Sequence, residues 1–146
     1  MNKKNTLLLF LCLFCLWAVA QERKPVKIAC VGNSITYGSG IKNQFQNSYP
    51  GLLSQLLGEG YDVRNFGISA RVMLNKGDHP YMHEQKFRDL LAFQPDIVTI
   101  KLGTNDSKPW NWHYGKDFGK DLTEMLDILQ DLPSKPKIYL CFPVPA

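Results

Sequence analysis

At 146 residues the chain has the length of one ordinary domain, and its 45% hydrophobic and 21% charged side chains supply a real core, which argues against a disordered or low-complexity protein. The formal charge of +4 falls to +2 once Lys3 and Lys4 of the leader described below are set aside, because 15 basic residues then face 13 acidic ones. So mild a balance, with no stripe of Lys and Arg, gives no support to a nucleic-acid partner.

The basic start Asn2-Lys3-Lys4 precedes the apolar run LLLFLCLFCLWAVA, which ends in Ala18-Val19-Ala20. A basic region, a short apolar stretch and an A-x-A site predict a secretory signal peptide over 1–20, cleaved before Gln21. A spanning helix needs about 20 apolar residues, so no stable membrane insertion is expected after cleavage. The residues before Cys12 and Cys15 are Leu11 and Phe14, too large for a lipoprotein signal. The mature domain is then 21–146, secreted or periplasmic. Its two cysteines, Cys30 and Cys141, sit in apolar runs that read as central strands, and they are predicted to be small buried hydrophobes rather than a disulfide.

From Val26 the elements alternate. VKIACV (26–31) reads as a strand stopped by Gly32. Tyr49, Leu52, Leu53, Leu56 and Leu57 then recur at helical spacing, with Pro50 in the first turn and Gly58 and Gly60 at the end. YDVRNF (61–66) is a second strand and GISARVMLNKGDHP a loop. A helix starting near Pro80 is expected to place His83, Phe87, Leu90 and Leu91 on one face. DIVTIKLG (96–103) is a third strand whose unbroken apolar or β-branched run predicts cover on both faces. Phe118, Leu122, Met125, Leu126 and Leu129 mark a third helix, and KIYLCF (137–142) a fourth strand. Such alternation predicts one α/β domain with a parallel, doubly wound sheet and right-handed crossovers.

In that fold the loops after successive strands meet along one edge of the sheet, where ligands collect. Three of them are unusual: GNSITYG with Ser34, FGISA with Gly67, and GTND with Asn105. Each alone has a bland explanation as a strand release, a tight turn or an Asx-turn. Three at consecutive strand ends point to a site. A phosphate loop is the competitor, since Gly32, Gly38 and Gly40 follow the first strand, yet neither G-x-x-x-x-G-K-[ST] nor G-x-G-x-x-G with its acidic partner is present.

The blocks GNSIT, NFGISA and GTND, in that order and spacing, resemble the first three blocks of the SGNH (GDSL-type) esterases and acylhydrolases. The resemblance implies a three-layer α/β/α sandwich with a parallel, flavodoxin-like sheet, and no cofactor. It makes Ser34 the nucleophile, with the N–H groups of Ser34 and Gly67 and the side-chain amide of Asn105 as the oxyanion hole. Three fixed donors meet the charge that develops on the carbonyl oxygen without reorganising, and an Asn brings an N–H donor without the charge of an Asp. Within the family the chain looks most like carbohydrate acetylesterases of the sialate or xylan type. The implied substrate is a small-molecule or glycan ester, deacylated through an acyl-enzyme.

Three departures qualify the resemblance. Asn33 stands where the family usually has Asp, and Ala70 where Gly is common. The family's base, a His in an Asp-x-x-His block near the C-terminus, has no counterpart before Ala146, so the sequence reads as the hydrolase domain truncated before that block. A serine hydroxyl needs an adjacent base. Of the three histidines, His79 reads as a loop residue, His83 as packing, and His113 as the one on the correct edge. None has metal-ligand spacing with cysteines or carboxylates. In the nearby PWNWHY stretch, an extended loop would put Trp110, Trp112 and Tyr114 on one side, either to stack on a sugar or to cover the third helix. Two functions stay open: a secreted serine esterase acting on glycan acyl groups, and a non-catalytic carbohydrate-binding protein on the same fold.

Overall fold

The computed structural model describes residues 24–144, and the predicted signal peptide lies outside them. Four parallel strands, β1 (Val26–Gly32), β2 (Tyr61–Gly67), β3 (Ile97–Lys101) and β4 (Lys137–Leu140), lie in the order β2-β1-β3-β4. Six α-helical segments connect and cover them: α1 (Ser34–Tyr37), α2 (Gln44–Asn47), α3 (Tyr49–Leu57), α4 (Gln85–Phe93), α5 (Pro109–Trp112) and α6 (Phe118–Gln130). The reversal of strand order at β1 sends successive crossovers to opposite faces and opens a crevice beyond the strand ends.

One face is a closed apolar layer. Ala29 and Val31 of β1, Phe66 of β2, and Val98 and Ile100 of β3 meet Phe87, Leu90 and Phe93 of α4 and Met125 and Leu129 of α6. Side chains such as Leu90 and Leu129, with no exposed surface, contribute on the order of 1.5–3 kcal/mol each by burial. Tyr81, also fully buried, donates its hydroxyl to the Phe66 carbonyl at 2.7 Å, so its polar tip is satisfied within the core.

The other face is only half covered. There α3 packs along β2, and the Tyr49 hydroxyl lies 3.3 Å from Thr99 Oγ1. Beyond it Ile97 and Thr99 stay partly exposed, as does Tyr139 on β4. Among the described residues, then, β3 is fully covered on one face and partly on the other. Leu52 and Leu56 of α3 are exposed as well, since the helix turns Pro50 rather than its leucine stripe inward.

Other expectations are corrected in detail. The Pro80 helix is split: Tyr81–His83 forms a 3-10 turn, and α4 begins at Gln85. His83 is exposed on that turn and does not share the buried face of Phe87 and Leu90. The fourth strand ends at Leu140 and, among the described residues, lies at the edge of the sheet with Cys141 exposed beyond it.

Both described cysteines are free thiols. Cys30 has no exposed surface, and burial pushes its thiol up, with weaker opposing hydrogen bonds from Thr99 and Tyr49. Thiolate is the reactive form. Iodoacetamide on the native protein, followed by peptide mapping, is therefore expected to label Cys141 quickly and Cys30 only after denaturation. Equal labelling of the two would contradict the burial of β1.

Candidate active site

The chain leaves β1 through Gly32 and Asn33 into the single turn α1. Asn33 is 1% exposed, and its Oδ1 accepts the Ile35 N–H at 3.0 Å, so the amide does the capping work of the usual Asp. Ser34 opens the turn, and its carbonyl takes the N–H groups of Gly38 and Ser39. Among the described residues neither the Ser34 hydroxyl nor its N–H has a hydrogen-bond partner.

Gly67 ends β2 directly beside Gly32, and the Ile68 N–H closes on the Gly32 carbonyl at 3.0 Å. A Cβ at Gly67 would fall 2.3 Å from the Tyr37 nitrogen, so glycine is required for β2 to seat against α1. Its N–H donates to Asn65 Oδ1 at 2.9 Å. Gly67 thus packs the end of β2 on the turn that carries Ser34, with its N–H held by Asn65. Asn65 also donates Nδ2 to the Thr36 carbonyl at 2.9 Å, tying the same two elements.

Three residues on, Ala70 adopts the left-handed conformation, φ 67°, that its glycine equivalent would favour, at a cost of roughly 1–2 kcal/mol. Its N–H has no partner among the described residues. Ser69 beside it meets Ser39 hydroxyl to hydroxyl at 2.6 Å, and Arg71 pairs with Glu84 at 2.8 Å.

Asn105, 7% exposed, reaches this loop from β3. Its Nδ2 donates to the Arg71 carbonyl at 3.0 Å. An amide nitrogen carries two protons, so one fixes the side chain and the other stays available. The next residue, Asp106, is fully buried, and its carboxylate accepts the N–H groups of Met73 at 2.9 Å and Leu74 at 2.8 Å. Burial pushes the Asp106 carboxyl up, and the amides of Leu74, Met73, Asp106 and Gly103 pull it back.

Asn111 is the residue that sequence reasoning passed over. It is 1% exposed, donates Nδ2 to the Asn105 carbonyl at 2.9 Å and to Asp78 Oδ1 at 3.0 Å, and accepts the Asp78 N–H at 2.9 Å. Its only sequence signal was an amide between two tryptophans. Asp121 of α6 adds a further anchor, accepting the Asn75 N–H at 2.7 Å.

The aromatic segment differs from the extended reading. Pro109–Trp112 is helical, so Trp110 and Trp112 do not alternate onto one side with Tyr114. Trp110 donates Nε1 to Asp78 at 3.2 Å, while Trp112 lies against Phe118 with ring centroids 6.2 Å apart. His113 is exposed and contacts Tyr114 edge to face. No histidine ring among the described residues hydrogen-bonds to Ser34. No group of three His, Cys, Asp or Glu side chains among them is placed to hold a metal ion, and no helix there is long and apolar enough to cross a membrane.

Residues 30–146 match the GDSL-like Lipase/Acylhydrolase family. A curated acetylxylan esterase of Xylanibacter ruminicola is 50% identical over 144 residues, a match that takes in 87% of this chain and 30% of that protein. Among solved structures, a carbohydrate acetylesterase family member from Sinorhizobium meliloti superposes with a TM-score of 0.60 at 22% identity, over 81% of this chain and 62% of that one. An aryl esterase of M. smegmatis gives 0.62 at 22% identity, over 81% and 64%. The chain thus spans less than two thirds of the length of each of these relatives, and the structural matches establish the fold.

Truncating Asp106 to Ala leaves two buried amides without acceptors, a loss on the order of 2–5 kcal/mol, whereas Asp106→Asn keeps one acceptor oxygen and costs less. Urea denaturation of both variants is the check. An Asp106→Ala midpoint equal to wild type would mean that the carboxylate does not hold the loop.

Proposed function

The chain belongs to the GDSL-like lipase/acylhydrolase family, and on that premise we propose that it carries the nucleophile and oxyanion donors of an exported serine esterase that removes acetyl groups from carbohydrate. The observation that carries the reading is the position of Asn105, pinned through Arg71 to the loop after β2 while Ser34 emerges unpartnered from β1. Attack by Ser34 Oγ on the ester carbonyl forms a tetrahedral intermediate. Its oxygen is met by the free proton of Asn105 Nδ2, the Ser34 N–H and the Gly67 N–H, the last exchanging its Asn65 acceptor for the oxyanion. Collapse expels the sugar hydroxyl and leaves an acetyl-serine that water hydrolyses. Both steps need a general base, and no histidine ring among the described residues hydrogen-bonds to Ser34. The carbohydrate substrate is supported by the acetylxylan esterase relative, and export by the leader pattern of residues 1–20.

The protein expressed from its complete reading frame is the material for the test, with an aryl acetate and an acetylated xylo-oligosaccharide as substrates. Ser34→Ala is expected to abolish turnover of both. Asn105→Ala is expected to lower kcat by about 10² to 10³ with KM little changed, since an oxyanion donor acts in the transition state. Undiminished turnover by Ser34→Ala, or an Asn105→Ala effect confined to KM, would contradict the reading. Binding of the acetylated glycan with no turnover at all would favour the non-catalytic carbohydrate binder.

A further inference from the structure

A cleft of about 750 Å³ opens beside the edge strand β2, walled by α2, α3 and the last residue of α1. Tyr37 belongs to both the cleft and the nucleophile turn, three residues beyond Ser34, or roughly 5 Å along the helix axis at 1.5 Å per residue. The lining combines two aromatic rings, Tyr37 and Phe45, with neutral amides and a hydroxyl, and it holds two cations, Arg64 and Lys86, and no carboxylate. Phe45 is 92% exposed on a folded turn, an aromatic that the packing of the domain does not account for. Around it Gln44 and Gln55 spend their amide nitrogens on the carbonyls of Tyr37 and Gln46, so their side-chain oxygens remain acceptors. Among the described residues the Gln46 side-chain amide and the Ser54 hydroxyl have no hydrogen-bond partner. The charge in the wall is largely spent: Arg64 is held by both oxygens of Asp62, which leaves Lys86.

A ligand suited to such a wall has hydroxyl groups on its edges, one apolar face and no net charge, which describes a pyranose ring. A flat C–H face stacks on an exposed aromatic, and ring hydroxyls suit amides that both give and accept. Trp110 and Trp112, tied to Asp78 and Phe118, do not supply a common platform. We propose that the cleft is a main-chain subsite that holds unesterified sugar residues of a neutral polysaccharide, with Phe45 as its stacking platform, while the acetylated residue sits at Ser34. This inference rests on the esterase reading for its substrate, but not for its test.

The probe is unacetylated xylohexaose, titrated calorimetrically into the complete protein and into Phe45→Ala and Gln46→Ala. Both positions are exposed, so the variants are expected to fold as wild type does. Phe45→Ala is expected to weaken xylohexaose binding about three- to tenfold, the loss of one aromatic stack. The same variant should raise KM for an acetylated xylo-oligosaccharide by a clearly larger factor than KM for an aryl acetate, which carries no further sugar residues to occupy the cleft. Xylohexaose that fails to bind, or that binds wild type and Phe45→Ala alike, overturns the subsite. Failure of the esterase reading shows separately, as turnover that survives Ser34→Ala; Phe45-dependent binding of xylohexaose would still support the subsite.

Discussion

The buried Asp106 carboxylate is the constraint on which the crevice depends. It lies at the end of β3 with no exposed surface and receives the backbone N–H groups of Met73 and Leu74 from the far side of the crevice. A carboxylate is withdrawn from water only at a cost of several kcal/mol, and directed N–H donors are what offset it. The arrangement therefore tolerates little displacement: moving the loop after β2 would strand a charge and two amides together. A long excursion between β2 and α4 is in this way tied to the loop that follows β3.

Around that clamp the other polar contacts fall into one network. Asn105 fastens the Arg71 carbonyl, Asn111 fastens the Asn105 carbonyl and Asp78, and Asp121 fastens the Asn75 amide. On the opposite side, Asn65 and Gly67 seat β2 against the turn that carries Ser34. The consequence is preorganisation. Donors that are fixed before a reaction cost nothing to orient during it, which is the chief means by which oxyanion sites stabilise charge. The strained φ of Ala70 fits the same logic, since backbone strain persists only where its surroundings over-determine it.

Much of this was legible in the sequence. The alternation of β-branched runs such as VKIACV with amphipathic segments such as α6 pointed to a parallel sheet, since consecutive parallel strands need helical crossovers. Ser34 and Asn105 stood out because polar residues and glycine follow apolar runs, and the family resemblance supplied the roles proposed for them. What escaped was set by tertiary contacts. Nothing local says that Asp106 reaches the backbone 32 and 33 residues away, whereas the Asn65 side chain taking the Gly67 N–H two residues on is a local Asx-type contact that the NFG stretch offered and the sequence reading passed over. The one-turn helix at Pro109–Trp112 escaped for a different reason: a single turn is too short to show a period. Cys141 misled because an apolar run reads alike in a central strand and at an exposed edge.

The central claim is that Ser34 itself takes the acyl group, held there by the frame that Asp106 clamps. Intact-mass analysis of the complete protein after reaction with an aryl phosphonate ester, followed by peptide mapping, tests it most directly. The account predicts one phosphonyl adduct per chain, located on Ser34 and absent once the protein is unfolded before exposure. An adduct on another serine, or none in a protein that turns over esters, would contradict it.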